Sequence, residues 1–158
     1  MLDSIDFKNA MAVLASAVSV VTTQGAAGRF GLTASAVCSV TDSPPSLLVC
    51  VNRSANSHAQ FLQNNVFAVN VLPAGAETIS NAFASGLTPE ERFASAEWVQ
   101  LVTGSPILKE ALVSFDCEIS QVQTVGSHDI IVGKIVAIRQ NATSQALVYF
   151  DRRYHHVG

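Results

Sequence analysis

The stretch FGLTASAVCSVTDSPPSLLVCVNRSANSH, residues 30–58, decides how this chain is read. Its Val and Leu residues mark sheet. Yet Gly31, Thr33, Ala34, Ser35 and Ala36 are too small to fill a core. Small side chains let another object approach the backbone closely. Two readings fit 31–36: tight strand-on-strand contact in a small barrel, or a shelf for a flat ring held by main-chain N–H and C=O groups. The apolar run at 47–51 then gives way to Asn52-Arg53-Ser54-Ala55-Asn56-Ser57-His58. That segment is either a polar turn with an Asn or Ser cap, or an anion site. For the second, Ser54, Asn56 and Ser57 offer neutral donors, Arg53 a charged fork, and a following helix its first N–H groups. Hydrogen bonds to a charged group contribute about 1.5–3 kcal/mol each. Three or four would hold a micromolar ligand, about 8 kcal/mol. Ring-sized space on one strand, with an anion site after its neighbour, favours a flat nucleotide cofactor. No GxGxxG or P-loop is present, so neither Rossmann nor Walker phosphate binding is supported.

Working outward, Ser4 reads as an N-cap, with Phe7, Met11 and Leu14 at i, i+4, i+7 on a short amphipathic helix. Residues 17–23 read as a strand, 24–28 as a turn, and 30–40 as a second strand antiparallel to the first. Pro44 and Pro45 break the sheet. Strands follow at 47–51 and 66–72, with a helix ending near Gln63 between them. Helical spacing recurs at 77–85. Thr88, Pro89 and two glutamates then carry the signature of a new helix start. In 113–120, Val113, Phe115, Cys117 and Ile119 point one way and Ser114, Asp116, Glu118 and Ser120 the other. The alternation slips at Gln121 and Val122, which predicts a β-bulge. Residues 130–138 are apolar on both faces and so need cover on both, which a second subunit would supply. A last strand at 146–150 precedes Asp151-Arg152-Arg153-Tyr154-His155-His156. About seven strands with short turns predict a mainly β, closed barrel with a few helices, and 158 residues predict one domain, 1–158.

Only 13% of residues are charged, against roughly 25% in an average soluble domain. Such a surface predicts a sizeable subunit interface. A net charge of −3 without clustered Lys and Arg argues against nucleic acid. No apolar run approaches a membrane span of about 20 residues. The start, MLDSIDFKN, lacks the basic region of a secretory signal. Cys38, Cys50 and Cys117 read as reduced core thiols of a cytoplasmic protein, and no metal-ligand spacing is seen.

The segments at 31–52, 67–72 (FAVNVL), 91–93 (ERF), 126–135 (GSHDIIVGKI) and 149–157 (YFDRRYHHV) resemble the flavin reductase family with an FMN-binding split barrel. Within it they look most like the reductase components of two-component flavin monooxygenases, notably that of 4-hydroxyphenylacetate 3-monooxygenase. The resemblance runs from about Phe7 onward. It implies a homodimer of split barrels, with FMN or FAD near the subunit interface and NADH or NADPH as hydride donor. Thr33, Ala34, Ser35 and Ala36 would line the flavin ring. Asn52, Ser54 and Ser57 would sit near the ribityl chain and phosphate, and Asn81, Phe83 and Ala84 along the phosphate and adenine side. Phe150 would lie near the ring. His128 would face the nicotinamide, with Tyr154 nearby and Arg153 close to nucleotide phosphates. The reduced flavin would pass to a separate aromatic-hydroxylating oxygenase.

Hydride transfer needs two rings at near-attack distance and donors aimed at developing charge, not a placed acid and base. The absence of Asp and Glu between Phe30 and Asp42 agrees. Sparse basic residues favour NADH. A flavin-binding carrier or sensor on the same barrel would not need the set His128, Arg153 and Tyr154. A pyridoxamine-phosphate-oxidase-like enzyme would need more basic residues than this chain has.

Overall fold

The computed structural model describes residues 1–142 and 144–158. Four short helices and twelve strands alternate along it. Helix α1 (Ser4–Met11) precedes β1 (Ser16–Ala17), β2 (Ser19–Gly25), β3 (Gly28–Ala34), β4 (Val37–Asp42) and β5 (Pro45–Asn52). Then come α2 (His58–Asn64), β6 (Val66–Val71), α3 (Glu77–Phe83) and α4 (Pro89–Phe93). The chain closes with β7 (Trp98–Val99), β8 (Ile107–Leu108), β9 (Val113–Val125), β10 (His128–Gln140), β11 (Ala146–Phe150) and β12 (Arg153–Val157).

Seven strands form one antiparallel sheet in the order β3-β2-β6-β9-β10-β5-β4. Its two edge strands, β3 and β4, are neighbours in sequence, joined by Ser35 and Ala36 alone. A two-residue link cannot span an open sheet, so the sheet curls until its ends meet. The Cys50 N–H donates to the Ala36 carbonyl at 3.1 Å, extending the β4–β5 pairing up to the link. The result is a barrel split where β3 hands over to β4. The expected single strand at 30–40 is thus two strands, and its break falls within the small-residue run.

Alternation along β2 divides the core. Val21 joins Val49, Phe61, Phe67, Val69, Cys117 and Ile131 inside the barrel. Val20 joins Leu72, Ile79, Phe83, Phe93 and Leu147 in a second layer outside it. There Phe83, Phe93 and Trp98 meet edge to face, with ring centroids 4.9–5.6 Å apart. The second layer is capped by α3, α4 and the small sheet β1-β11-β12. Gly133 has no room for a side chain: a Cβ there would lie 2.5 Å from the Phe67 ring.

Several expectations change. The N-cap of α1 is Asp3, whose carboxylate accepts from the Ile5 N–H, not Ser4. The helix forms, but Phe7, Met11 and Leu14 stay exposed, since α1 buries none of its residues within this chain. The bulge in β9 falls at Ser120: Val132 pairs with Gln121 and Gly133 with Ile119. Ser114 and Asp116, on the face opposite Phe115 and Cys117, are buried as well. Of the three cysteines only Cys117 is a core thiol, pushed up to about 12 by burial and then by Asp116; Cys38 is exposed and Cys50 half-buried. The segment at 153–157 is strand β12, paired with β11. The helix start expected at Thr88 forms, closed by a complete capping box of Thr88 and Glu91.

Candidate functional site

At the split lies a cavity of about 590 Å³. One wall is β3 with its continuation, from Phe30 to Ala36. A second is the end of β5 and the loop after it, with Cys50, Asn52, Ala55, Asn56 and Ser57. Phe83 and Ala84, at the end of α3, and Leu87, Pro89 and Arg92 form the third. His128 completes the lining. The register of β10 on β5 sets His128 opposite Asn52, which brings the imidazole to the loop. Ser127 Oγ lies 2.8 Å from His128 Nδ1, and Nε2 has no partner among the described residues.

Thr33, Ala34, Ser35, Ala36, Asn52, Ser57, Phe83, Ala84 and His128 therefore converge on one cavity. Ser54 does not line it. Its N–H and hydroxyl both donate to Asn52 Oδ1, at 2.9 and 2.8 Å, closing an Asx turn. Asn81 and Tyr154 also stand outside the lining: the Tyr154 hydroxyl donates to Asn81 Oδ1 and lies 2.7 Å from Ser80 Oγ. Ser80 in turn accepts from Thr33 through its carbonyl, at 2.6 Å. Tyr154 thus holds α3, which holds the Thr33 strand. Phe150 leans on His155, and exposed Arg153 lies 3.8 Å from Asp151; neither lines the cavity. Helix α2 has seven residues, and Ser57 at its N-cap makes no side-chain cap bond. The loop side chains, rather than a helix end, are its polar contribution.

Sequence reasoning missed Arg92. Its Nε donates to the Leu87 carbonyl, Nη1 to the Gly31 and Phe83 carbonyls at 2.8 and 3.1 Å, and Nη2 to the Ser85 carbonyl. Its partners are all neutral, so the guanidinium leaves a net positive charge in the cavity wall. The signal was Arg92 in the last turn after a capping box, where its fork reaches the chain leaving α3. Gly31 fits because any Cβ there would lie 2.7 Å from the Phe83 ring. A second cavity of about 520 Å³ shares Ser35 and Ala36 with the first and is rimmed by Lys8, Met11, Leu14, Tyr149 and Arg152.

The donor set suits a flat ring with a phosphate tail. No carboxylate lines the cavity, Arg92 and His128 do, and the shelf at 33–36 carries little bulk. The side chains of Ser35, Asn56 and Ser57 make no hydrogen bond among the described residues, so their donors are unspent. Behind the loop, Asp129 is held below the usual carboxylate range, first by the Thr124 hydroxyl and then by His58.

A barrel split at a bulk-free shelf, with an anion-ready loop beside it, defines a flavin-binding class of protein. Residues 11–158 match the flavin reductase like domain, and the chain belongs to that family. It is 56% identical over 150 residues to the FMN reductase (NADH) RutF of Pantoea ananatis, covering 95% of this chain and 79% of the relative. A crystal structure described as a flavin reductase from Haemophilus somnus superposes with a TM-score of 0.97 at 54% identity, covering 99% of this chain and all of the other. BorF, the flavin reductase component of a bacterial two-component tryptophan halogenase, superposes with a TM-score of 0.91 at 29% identity, covering 98% of each chain.

Proposed function

We propose that this chain, working as one domain over residues 1–158, is a cytoplasmic NADH-dependent flavin reductase that uses FMN and passes the reduced flavin to a separate oxygenase. The observation that carries the reading is the cavity: a shelf at 33–36 without bulk, unspent neutral donors at Ser35, Asn56 and Ser57, and a cation at Arg92 with no carboxylate in the lining. The name of the 56%-identical relative supports FMN and NADH, and the halogenase reductase supports a separate flavin-consuming partner.

When bound, the flavin supplies the redox chemistry, taking a hydride from the nicotinamide. The chain's residues bind and orient. Main-chain groups of Thr33, Ala34, Ser35 and Ala36 meet the ring and its polar edge, where donors stabilise growing negative charge. Asn52, Asn56 and Ser57 meet the ribityl chain and phosphate, with Arg92 supplying the charge. Phe83 and Ala84 form the far wall. Asn81 and Tyr154 fix α3 in place, and Ser54 shapes the Asx turn. His128, which lines the cavity and keeps Nε2 free of partners among the described residues, orients the carboxamide of the nicotinamide. Phe150 and Arg153 make no contact with the flavin in this reading, since neither lines the cavity.

A homodimer belongs to the same reading. Ile5, Phe7 and Met11 of α1 are bare, as are Val40, Val122, Val125 and Ile138 on the sheet. A second copy would cover both, and sedimentation would report a dimer. Absorbance at the NADH band, followed with FMN, with FAD and with NADPH in place of NADH, tests the activity. Flavin-dependent oxidation of NADH, fastest with FMN, is expected. Oxidation that does not depend on added flavin, or none at all, would refute the assignment.

A further inference from the structure

Among the described residues, the least exposed contact between a carboxylate and a basic side chain sits behind the cavity. His58 Nε2 lies 2.6 Å from Asp129 Oδ2, with side chains 15% and 5% exposed. The other carboxylate oxygen accepts from Thr124 Oγ1 at 2.7 Å. An ionised carboxylate only accepts, so the facing Nε2 carries the proton and donates. Arg53 is the other charged group acting on Asp129.

The location matters more than the pair. His58 follows Ser57 at the end of the 52–57 loop, and Asp129 follows His128 at the start of β10. Ser57 and His128 both line the cavity, so each member of the pair adjoins a lining residue. Two further contacts bind the same two segments: the Arg53 N–H donates to the Ser127 carbonyl at 2.9 Å, and Arg53 Nη1 reaches the Gly126 carbonyl at 3.4 Å. Those contacts are exposed or involve only main chain. The buried pair is the side-chain contact that water and salt screen least.

We infer that His58 and Asp129 are positioning residues whose hydrogen bond clamps the 52–57 loop to the His128 hairpin, fixing the span between the phosphate end of the cavity and the imidazole. The inference rests on the flavin reductase reading for what the two ends hold, but not for the clamp itself. A hydride donor must reach the ring at near-attack distance, and a misplacement of about 1 Å can cost roughly 100-fold in rate. A loop and hairpin that shift independently would produce such errors at both ends.

Asp129→Asn keeps the shape and removes the charge. Hydrogen exchange on the protein without flavin or nucleotide gives the first readout. The Arg53 amide, which reports docking of the loop on the hairpin, should exchange about tenfold faster in Asp129→Asn, a loss of about 1.4 kcal/mol of protection. Unchanged protection would overturn the clamp. The second readout is a double-mutant cycle with His128→Ala on kcat/KM for NADH. A clamp acting through His128 makes Asp129→Asn costly, about tenfold or more, in the parent and nearly silent beside His128→Ala. Additive losses would overturn it, because a pair that only stabilises the fold has no reason to act through His128. His58→Gln, which retains an N–H donor, should recover most of the loss seen in His58→Ala, and it keeps the test open if His58→Ala does not fold. Faster exchange without any NADH oxidation in the parent would leave the clamp standing and reject the flavin reductase reading instead.

Discussion

The outer face of the barrel sheet and the cavity wall are both lined by hydroxyls and amides, yet one spends them and the other does not. On the outer face, Asn70 Oδ1 accepts from the Leu108 N–H and Ser114 Oγ, while its Nδ2 donates to the Val20 and Pro106 carbonyls. Thr22 donates to the Pro106 carbonyl at 2.6 Å. Asp116 accepts from the Val102 and Thr103 N–H groups and from Thr103 Oγ1. These groups pin residues 102–108 onto the sheet, and all four side chains are buried. In the cavity, Ser35, Asn56 and Ser57 are of the same types but hold their donors in reserve. A polar group whose bonds are all made within the chain specifies the fold; one whose bonds are left over awaits a ligand.

The sharpest way to break that contrast is to remove a spent group. Asp116→Ala strands three donors and should cost on the order of 4 kcal/mol. In a chain of this size that lowers the midpoint by roughly 8–16 °C. The KM for FMN of the folded protein should stay within about twofold, since the cluster shares no partner with the cavity. A thermal scan beside an assay well below the midpoint decides it, and an unmoved midpoint would mean the network is ornamental.

Two glycines sharpen the contrast next. Gly31→Ala and Gly133→Ala each force a Cβ to within 2.7 Å or less of a buried ring, overpacking that costs about 1–3 kcal/mol. Gly133 meets Phe67 inside the barrel, whereas Gly31 meets Phe83, which lines the cavity. Both variants should melt earlier, and only Gly31→Ala should weaken FMN in a fluorescence titration. Equal affinity in the two would separate Phe83 from the site.

The elements of the barrel were largely legible because their evidence is local, whereas its split came only from the family resemblance. Alternation, the two prolines and the helix start at Thr88 each name their own element. The shelf was legible for the same reason: smallness at 31–36 is a property of single residues. The break at Ser35 and Ala36 was not, because nothing in the run marks a strand that leaves one sheet edge for the other. The burial of Ser114 and Asp116 went unread because their cover comes from residues 102–108, a segment with no periodic pattern. Arg92 went unread for a related reason. Its partners are main-chain carbonyls, which every sequence possesses and none advertises.

Charge placed on an unspent group should act on binding alone. Asn56→Asp adds a carboxylate with almost no change of shape, on an exposed residue of the cavity lining. At about 4 Å from a phosphate the repulsion is roughly 1–4 kcal/mol, so KM for FMN should rise about tenfold or more and partly recover in salt. Ser54→Asp should do less, because Ser54 turns towards Asn52 and away from the cavity. The reverse ranking would put the phosphate on the other side of the loop.

The smallest effect concerns acid. Asp129 and Glu77 are both held below the usual carboxylate range, Asp129 first by Thr124 and Glu77 first by His156. In the unfolded chain such groups take up a proton near pH 4, while in the fold they remain ionised to lower pH. Their stabilisation is therefore complete above that point and drains away as pH falls through the depressed native value. Asp129→Asn and Glu77→Gln should each lower stability at pH 7 and flatten its decline between about pH 5 and 3. The two should part in salt. His156 and Glu77 are 47% and 30% exposed, against 15% and 5% for His58 and Asp129. Screening should thus erase most of the Glu77 effect and little of that of Asp129. Urea midpoints at low and high salt across that range would show it. Equal salt sensitivity would mean that the pair behind the cavity is open to water, and a clamp open to water could not hold the two ends of the site at a fixed span.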